Sequence, residues 1–296
     1  MPFKYLGVPL DGKKLTIANC QPLIEKMMCR LNHRCTRLLS YAGRLQLAKS
    51  VLFAIANYWL QISPLPKKVI SHIESLCRRF LWSGKEDVRK TAPVSWETIC
   101  NPIAEGGLNV IGLGWWNQAT LGKMLWNLYQ KKDRLWIKWV HHFYMKGKNI
   151  IDYMPKTTAS WIIRAIFKHN DVIMESDDWK EFDLTGMYRT NRIYRELKGP
   201  NPFIPWNNLV RGNWARPREI FILWLTCQRR LQTNDRLARF GTLTDGKCLY
   251  CDEFETCNHL FFECIVPNTL WQKVLDWLKL AHLPQNLGAG IAVVHH

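Results

Sequence analysis

Internal repeats, low-complexity tracts and long apolar runs are all missing from this chain of 296 residues. The longest apolar stretch, VLFAIANYWLQI from Val51 to Ile62, has twelve residues, well short of the ~20 needed to span a bilayer. The opening MPFKYLGVPLDGKK lacks the charged-then-apolar order of a secretory signal. Strand-like patterning is scarce outside FKYLGVPL at the start. No nucleophile and base stand in a recognisable arrangement: His141 and His142 sit among bulky apolar residues with nothing in the sequence to activate them. The only adjacent aspartates, Asp177 and Asp178 in MESDDW, lack flanking apolar strands and read as a solvated acidic loop. These absences argue against a membrane partner and against an enzyme. The expectation is an intracellular protein, in nucleus or cytoplasm, with its thiols reduced; nothing in the sequence sets an oligomeric state.

Hydrophobic residues make up 47% and tryptophan occurs fifteen times, enough to fill a core and exclude wholesale disorder. The formal net charge of +17 is unevenly spread: +11 over residues 1–90, +4 over 91–200, +5 over 201–247 and −3 over 248–296. Lysine and arginine at that density favour a polyanion, RNA or DNA, because they displace counterions condensed on phosphates.

Apolar spacing predicts a mainly α fold. Ile17, Cys20, Leu23, Ile24, Met27, Met28 and Leu31 share one helix face. Ser40 is placed to cap the next helix, along which Leu45, Ala48, Leu52, Ile55 and Trp59 recur. A third begins near Pro66, carries Val69, Ile73, Leu76, Phe80 and Leu81, and stops at Gly84. Three such helices make a bundle whose exposed faces hold Arg30, Arg34, Arg37, Arg44, Lys49, Lys67, Lys68, Arg78 and Arg79. A loop, GGLNVIGLGWW, precedes a helical run from Asn117 to Tyr144. Residues 145–205 are more polar and read as a connector. A helix from Pro217 then places Ile220, Phe221, Trp224 and Cys227 together, and a shorter one runs from near Thr233 to Gly241. A last amphipathic helix carries Leu270, Trp271, Val274, Leu275 and Leu278, and the tail LGAGIAVVHH has no obvious role.

The segment CLYCDEFETCNHLFFEC holds the pattern C-x2-C-x7-H-x4-C at Cys248, Cys251, His259 and Cys264. Two thiols across a tight turn and a histidine–cysteine pair at a helix start form two halves of a tetrahedral zinc site. Three thiolates and an imidazole fill all four positions, so the zinc is structural, with no open site to activate water. Cys257 is the spare thiol; it could replace His259 or Cys264, but reads as a buried or free cysteine. Asp252, Glu253, Glu255 and Glu263 make the knuckle itself acidic. Nearby Arg216, Arg218, Arg229, Arg230, Arg236 and Arg239 are therefore the residues placed to meet a polyanion. Tyr250 and Phe254 could stack on unpaired bases, although packing around the metal is the stronger expectation.

WLTCQRRLQTNDRLARFG followed by this cluster resembles the zinc-binding C-terminal module of plant LINE-type (non-LTR) retrotransposon reverse transcriptases. FKYLGVPL is similar to the segment just after the palm of that family. LSYAGRLQLAKSVLFAIANYWLQISPLPKKVISHIESLCRRFLWSG is similar to its thumb, and VSWETICNPIAEGGLNV with NQATLGKMLWNL continues the likeness. The resemblance implies a helical thumb-like bundle, a helical connector and a small zinc knuckle with flanking helices. It divides the chain into a remnant following the palm (1–15), thumb (16–85), helical extension (86–148), variable connector (149–205), zinc-binding domain (206–280) and tail (281–296). By the same resemblance the thumb tracks template and primer, with Arg30, Arg37, Arg44, Lys49, Lys67 and Lys68 on phosphates, while Arg229, Arg230 and Arg236 serve the zinc module. The palm aspartates of that family find no counterpart, and polymerisation needs several converging carboxylates, so no catalytic residue is assigned. The alternative is a zinc-stabilised protein-interaction module with incidental basic charge.

Overall fold

The computed structural model describes residues 3–5, 8–10, 14–33, 36, 38–84, 92–168, 173–212, 214–241 and 245–279. Arg34, Arg37 and the tail 281–296 lie outside these residues, as do the side chains of Asp177 and Asp178. The fold is mainly helical, as the periodicity implies. Strands β1 (Phe3–Tyr5) and β2 (Val8–Leu10) pair antiparallel with Phe3 opposite Leu10, so the strand signal at the start of the chain is a pair of short strands. The first helices are α1 (Gln21–Leu31), α2 (Tyr41–Leu47), α3 (Phe53–Ile62), α4 (Lys67–Ser83) and α5 (Trp96–Ile99). The middle of the chain forms α6 (Leu113–Tyr129), α7 (Leu135–Val140), α8 (Trp161–Phe167), α9 (Asp177–Thr185) and α10 (Thr190–Lys198). Then come α11 (Asn207–Arg211), α12 (Pro217–Cys227), α13 (Asn234–Arg239) and α14 (Ile265–Leu278). Among the described residues no helix is long and apolar enough to cross a membrane.

The chain divides into two compact units. The first comprises Met1–Leu38, Arg44–Arg89 and Ile111–Pro200. In it α1 buries Leu23, Ile24, Met27 and Leu31. Ile17, expected on the same face, is 49% exposed because it precedes the helix, ahead of a 3-10 turn over Ala18–Cys20. A π-helical segment, Ala48–Leu52, joins α2 to α3. α4 ends where Gly84 adopts a left-handed backbone, φ 71°, and donates its N–H to Phe80 O, a conformation that costs glycine little.

The axis of this unit is α6. Glu74 Oε1 accepts the Leu113 N–H at 2.8 Å and the Tyr194 hydroxyl accepts the Gly112 N–H at 3.1 Å, so the donors at the start of the helix are met by side chains. Asn117 bonds both backbone groups of Leu65, at 3.1 and 3.2 Å. At Gly122 a Cβ would lie 2.5 Å from the Tyr188 hydroxyl, and that hydroxyl donates to Ala119 O at 2.7 Å. Trp126 is fully buried, edge-on to Trp179 at 4.9 Å and to Phe182 at 6.1 Å. The polar stretch expected as a connector supplies Ile163, Phe167, Trp179, Phe182 and Ile193 to this same core; its apolar residues are few but fall at helical spacing. The run expected as one helix from Asn117 to Tyr144 breaks between Tyr129 and Leu135. Five successive polar residues there offer no face to bury, and Lys131 adopts φ 47°. Conversely, α6 starts at Leu113, inside the stretch read as loop.

The second unit comprises Leu39–Gly43, Lys90–Val110 and Asn201–His296. Ser40 caps as expected, its Oγ accepting the Gly43 N–H at 3.3 Å. Ser95 caps α5 through the Thr98 N–H at 3.2 Å. The AEGG turn follows, and its Gly106 carbonyl accepts both the Trp224 indole N–H, at 2.9 Å, and the Gln228 amide, at 2.6 Å. Trp224 is fully buried and Phe221 stacks on Tyr41 at 5.5 Å. Pro217 opens α12 at its first turn, with Glu219 bonded back to the Arg216 N–H at 3.1 Å.

Two glycine substitutions test this packing. A Cβ at Gly107 would meet the Asn101 carbonyl oxygen at 2.0 Å, whereas one at Gly114, inside α6, meets nothing within 4 Å. Gly107→Ala is expected to cost at least about 2 kcal/mol by forcing the turn apart. Gly114→Ala is expected to be neutral or to stabilise by up to about 1 kcal/mol. Thermal melts that fall equally for both would contradict the arrangement of the turn.

Candidate metal centre and basic surface

The knuckle is built by backbone bonds before any ligand is considered. Lys247 and Phe254 form an antiparallel bridge, Cys248 N–H donates to Glu253 O at 2.9 Å, and Glu255 N–H donates to Gly246 O at 3.0 Å. This hairpin folds Cys248 and Cys251 to one side. A π-helical turn, His259–Glu263, closes with the Cys264 N–H on His259 O at 2.9 Å and brings His259 and Cys264 to the same point. Thr256 Oγ1 steadies the turn by accepting the His259 N–H at 3.1 Å. The ligand atoms of Cys248, Cys251, His259 and Cys264 all lie within 4.8 Å of one another.

The spacing fits a tetrahedral metal. Zinc–sulfur bonds of ~2.3 Å at tetrahedral angles imply a sulfur–sulfur edge of about 3.8 Å. Cys248 to Cys264 measures 3.8 Å and Cys251 to Cys264 measures 3.9 Å. Cys251 Sγ and His259 Nε2 stand closer, at 3.1 Å. His259 and Cys264 are buried while the two hairpin cysteines are half-buried. The charges point the same way. Cys248 is lowered to about 7, first by the Tyr250 N–H on its sulfur and then by His259. Cys251 moves up: the Glu253 N–H pulls it down, but desolvation and the neighbouring Cys248 and Cys264 outweigh that. One thiolate is easy here and a second is resisted, a conflict that a divalent cation removes.

Residues 188–271 match the family described as zinc-binding in reverse transcriptase. The chain is thus reverse-transcriptase-related over this segment. Two proteins of Arabidopsis thaliana are similar to it. One is named "Putative ribonuclease H protein", 30% identical over 176 residues, which are 58% of this chain and 28% of that protein. The other is named "Uncharacterized mitochondrial protein", 26% identical over 121 residues, 40% of this chain and 79% of that protein. The matched stretch therefore spans little more than a quarter of the first relative's length.

Within the reverse-transcriptase-related segment, residues outside the cysteine pattern hold the knuckle in place. Glu255 Oε1 accepts the Asn234 N–H at 3.0 Å, at the start of α13, and Asn234 Nδ2 donates to Lys247 O at 2.8 Å. The signal for this in the sequence is the TND triplet of QTNDRL, which lies within the stretch WLTCQRRLQTNDRLARFG. Cys257 stays outside the four-donor group, half-buried, with burial raising its pKa. Tyr250 and Phe254, expected to pack around the metal, are instead 69% and 65% exposed, because so small a hairpin has no inner layer to receive them.

The basic residues fall in different places. Arg30, Lys67 and Lys68 are exposed in the first unit, Arg229 and Arg230 are exposed in the second, and Arg236 is half-buried. Arg44 is also half-buried: its guanidinium lies over Gly84, where a Cβ would come within 2.6 Å, and Nη1 donates to Leu81 O at 3.4 Å. It caps the end of α4. Lys49, within the π-helical segment, is half-buried and burial lowers its pKa.

Thiol reactivity separates the centre from the core. Burial raises Cys20 to about 11, Cys77 to about 12 and Cys227 to about 11. In metal-free protein Cys248 has its folded pKa lowered below the unfolded value of ~8.5. Its stabilising contribution is therefore present above ~8.5 and lost as pH falls through about 7. Alkylation at pH 7.5, read by mass spectrometry, is expected to mark Cys248 first and spare Cys20, Cys77 and Cys227, with added zinc protecting Cys248. Equal labelling of all four would contradict this electrostatic reading.

Proposed function

We propose that this chain is the C-terminal part of a LINE-type (non-LTR) reverse transcriptase and that it grips nucleic acid rather than catalysing a reaction. The observation that carries the reading is the convergence of Cys248, Cys251, His259 and Cys264 inside the segment similar to the zinc-binding part of reverse transcriptases. In this proposal the four side chains hold one structural zinc. When bound, the ion supplies charge balance and a fixed crossing of two chain segments; it activates no water, since all four positions are taken.

Binding to RNA or DNA is assigned to the basic residues. Arg30, Lys67 and Lys68 contact phosphates from the thumb-like bundle, and Arg229, Arg230 and Arg236 do so beside the zinc knuckle. Such contacts position a nucleic acid without reading its sequence. The ribonuclease H activity in one relative's name is not carried over to this chain. A second reading, a zinc-stabilised protein-interaction module, is favoured by α14, where Ile265, Leu270 and Trp277 are 70%, 65% and 79% exposed.

Salt titration decides between them. With four to six phosphate contacts on a single strand, affinity of the zinc-loaded chain for RNA is expected to fall on the order of 100-fold between 50 and 200 mM salt. Flat salt dependence, or no RNA binding at low salt, would contradict the nucleic-acid reading and shift the weight to protein interaction.

A further inference from the structure

A cavity of about 600 Å³ opens within the second unit, lined by the turn after α12 and by α13. Its size falls in the range of small-ligand sites, ~300–1,000 Å³. Arg229, Arg230, Arg236 and Arg239 line it, against Asp235 as the single carboxylate of its wall. Asp235 is already engaged on both oxygens: the Thr233 hydroxyl donates to Oδ1, and Arg239 Nη2 donates to Oδ2 at 3.0 Å. Arg229 and Arg230 have no carboxylate partner among the described residues.

The cations are held together by the backbone. Arg229 stands in a left-handed conformation, φ 52°, and its carbonyl accepts Arg236 Nη1 at 2.6 Å. That bond closes the turn and fixes the Arg236 guanidinium, while the exposed Arg229 and Arg230 line the same cavity. Arg236 is held below the usual arginine range, first by burial and then by Arg230, with Asp235 opposing. Like charges gathered in a concave surface raise the local potential and favour an anion there. The rest of the wall comes from the end of α12, from Leu231 and Thr233, and from Thr256, Cys257 and Asn258 of the knuckle, with Phe240 as its one aromatic residue. Phe240 caps the end of α13 and is 68% exposed, an apolar ring kept in water at the lip of a cationic site.

We infer that this cavity takes one unpaired nucleotide of a single-stranded nucleic acid, its phosphodiester on Arg229, Arg230 and Arg236 and its base stacked on Phe240. Guanidinium groups match phosphate oxygens in a fork geometry, and an exposed ring offers every base a π-face regardless of sequence. A duplex buries its base faces and cannot use the ring. The inference rests on the nucleic-acid reading above and sharpens it, naming the strand state and the stacking residue.

The test uses the zinc-loaded full chain with three probes: a 12-nucleotide oligo(U), the same strand paired to oligo(A), and inorganic phosphate. Phe240→Ala and Arg230→Gln are each expected to weaken oligo(U) binding about 10-fold, in line with the loss of one stacked base or one charged contact. Phe240→Trp should retain affinity. Duplex binding should be unchanged by Phe240→Ala, and bound zinc should stay at the wild-type level in every variant. If oligo(U) binds the wild type but neither Phe240→Ala nor Arg230→Gln changes its affinity, the site is overturned while the broader reading survives. Equal losses for oligo(U) and duplex on Phe240→Ala, or phosphate binding without oligo(U) binding, would also overturn it. No nucleic-acid binding by the wild type would remove both.

Discussion

Three thiols and an imidazole brought within 4.8 Å of each other impose the constraint on which the second unit's knuckle depends. Over residues 245–264 the side chains of His259 and Cys264 are buried, and both belong to the four-donor group. Leu249 is 87% exposed, and Tyr250 and Phe254 face solvent as well. A segment whose large apolar side chains are exposed or only half-buried gains little from hydrophobic burial to offset the entropy of ordering its backbone. In the proposed reading a bound metal takes that role, and its binding free energy is folding free energy for the hairpin and the π turn. The Asn234–Glu255 bonds then pass that order to the start of α13.

Charge is segregated at short range around this centre. The knuckle is acidic, and in the proposed reading three thiolates on a dication would leave it more so. Directly alongside, the turn after α12 and α13 gather guanidiniums around a cavity with one carboxylate. In the proposed reading the arrangement separates two tasks, holding a metal and binding phosphate, that would otherwise conflict. Thiolates near a phosphate would repel it, whereas the arginines of the cavity would attract it without competing for the metal. The conformation that allows this separation is local: a left-handed Arg229 and a carbonyl that clamps Arg236.

How much of this could be read from the sequence depended on distance along the chain. The helices of the first 84 residues follow from apolar spacing, with Ser40 capping through its hydroxyl and Gly84 stopping α4 because a residue without a Cβ turns left-handed at little cost. The convergence of Cys248, Cys251, His259 and Cys264 was legible because each half is closed by a turn of fewer than ten residues. The bond from Trp224 to the Gly106 carbonyl was not, since 118 positions separate the partners. Arg44 shows the limit of periodicity: it lies on a nominally exposed face, yet Gly84, brought near by tertiary packing, makes it a cap. Composition misled for residues 149–205, whose polar average hides Trp179, Phe182 and Ile193 at core spacing. Phe240 is not legible in the sequence because a lone phenylalanine ending a short helix gives no pattern; only its exposure beside four arginines marks it.

The most direct test of the central claim is a cobalt(II) titration of the metal-free chain, followed by absorption and by hydrogen exchange over residues 245–264. The account predicts tetrahedral bands with thiolate-to-metal charge transfer, saturation at one equivalent, displacement by zinc, and exchange protection that rises in step with the bands. The same titration of Cys264→Ser should lose much of the charge transfer. Saturation without thiolate bands, or a knuckle equally protected before and after the metal is added, would contradict it.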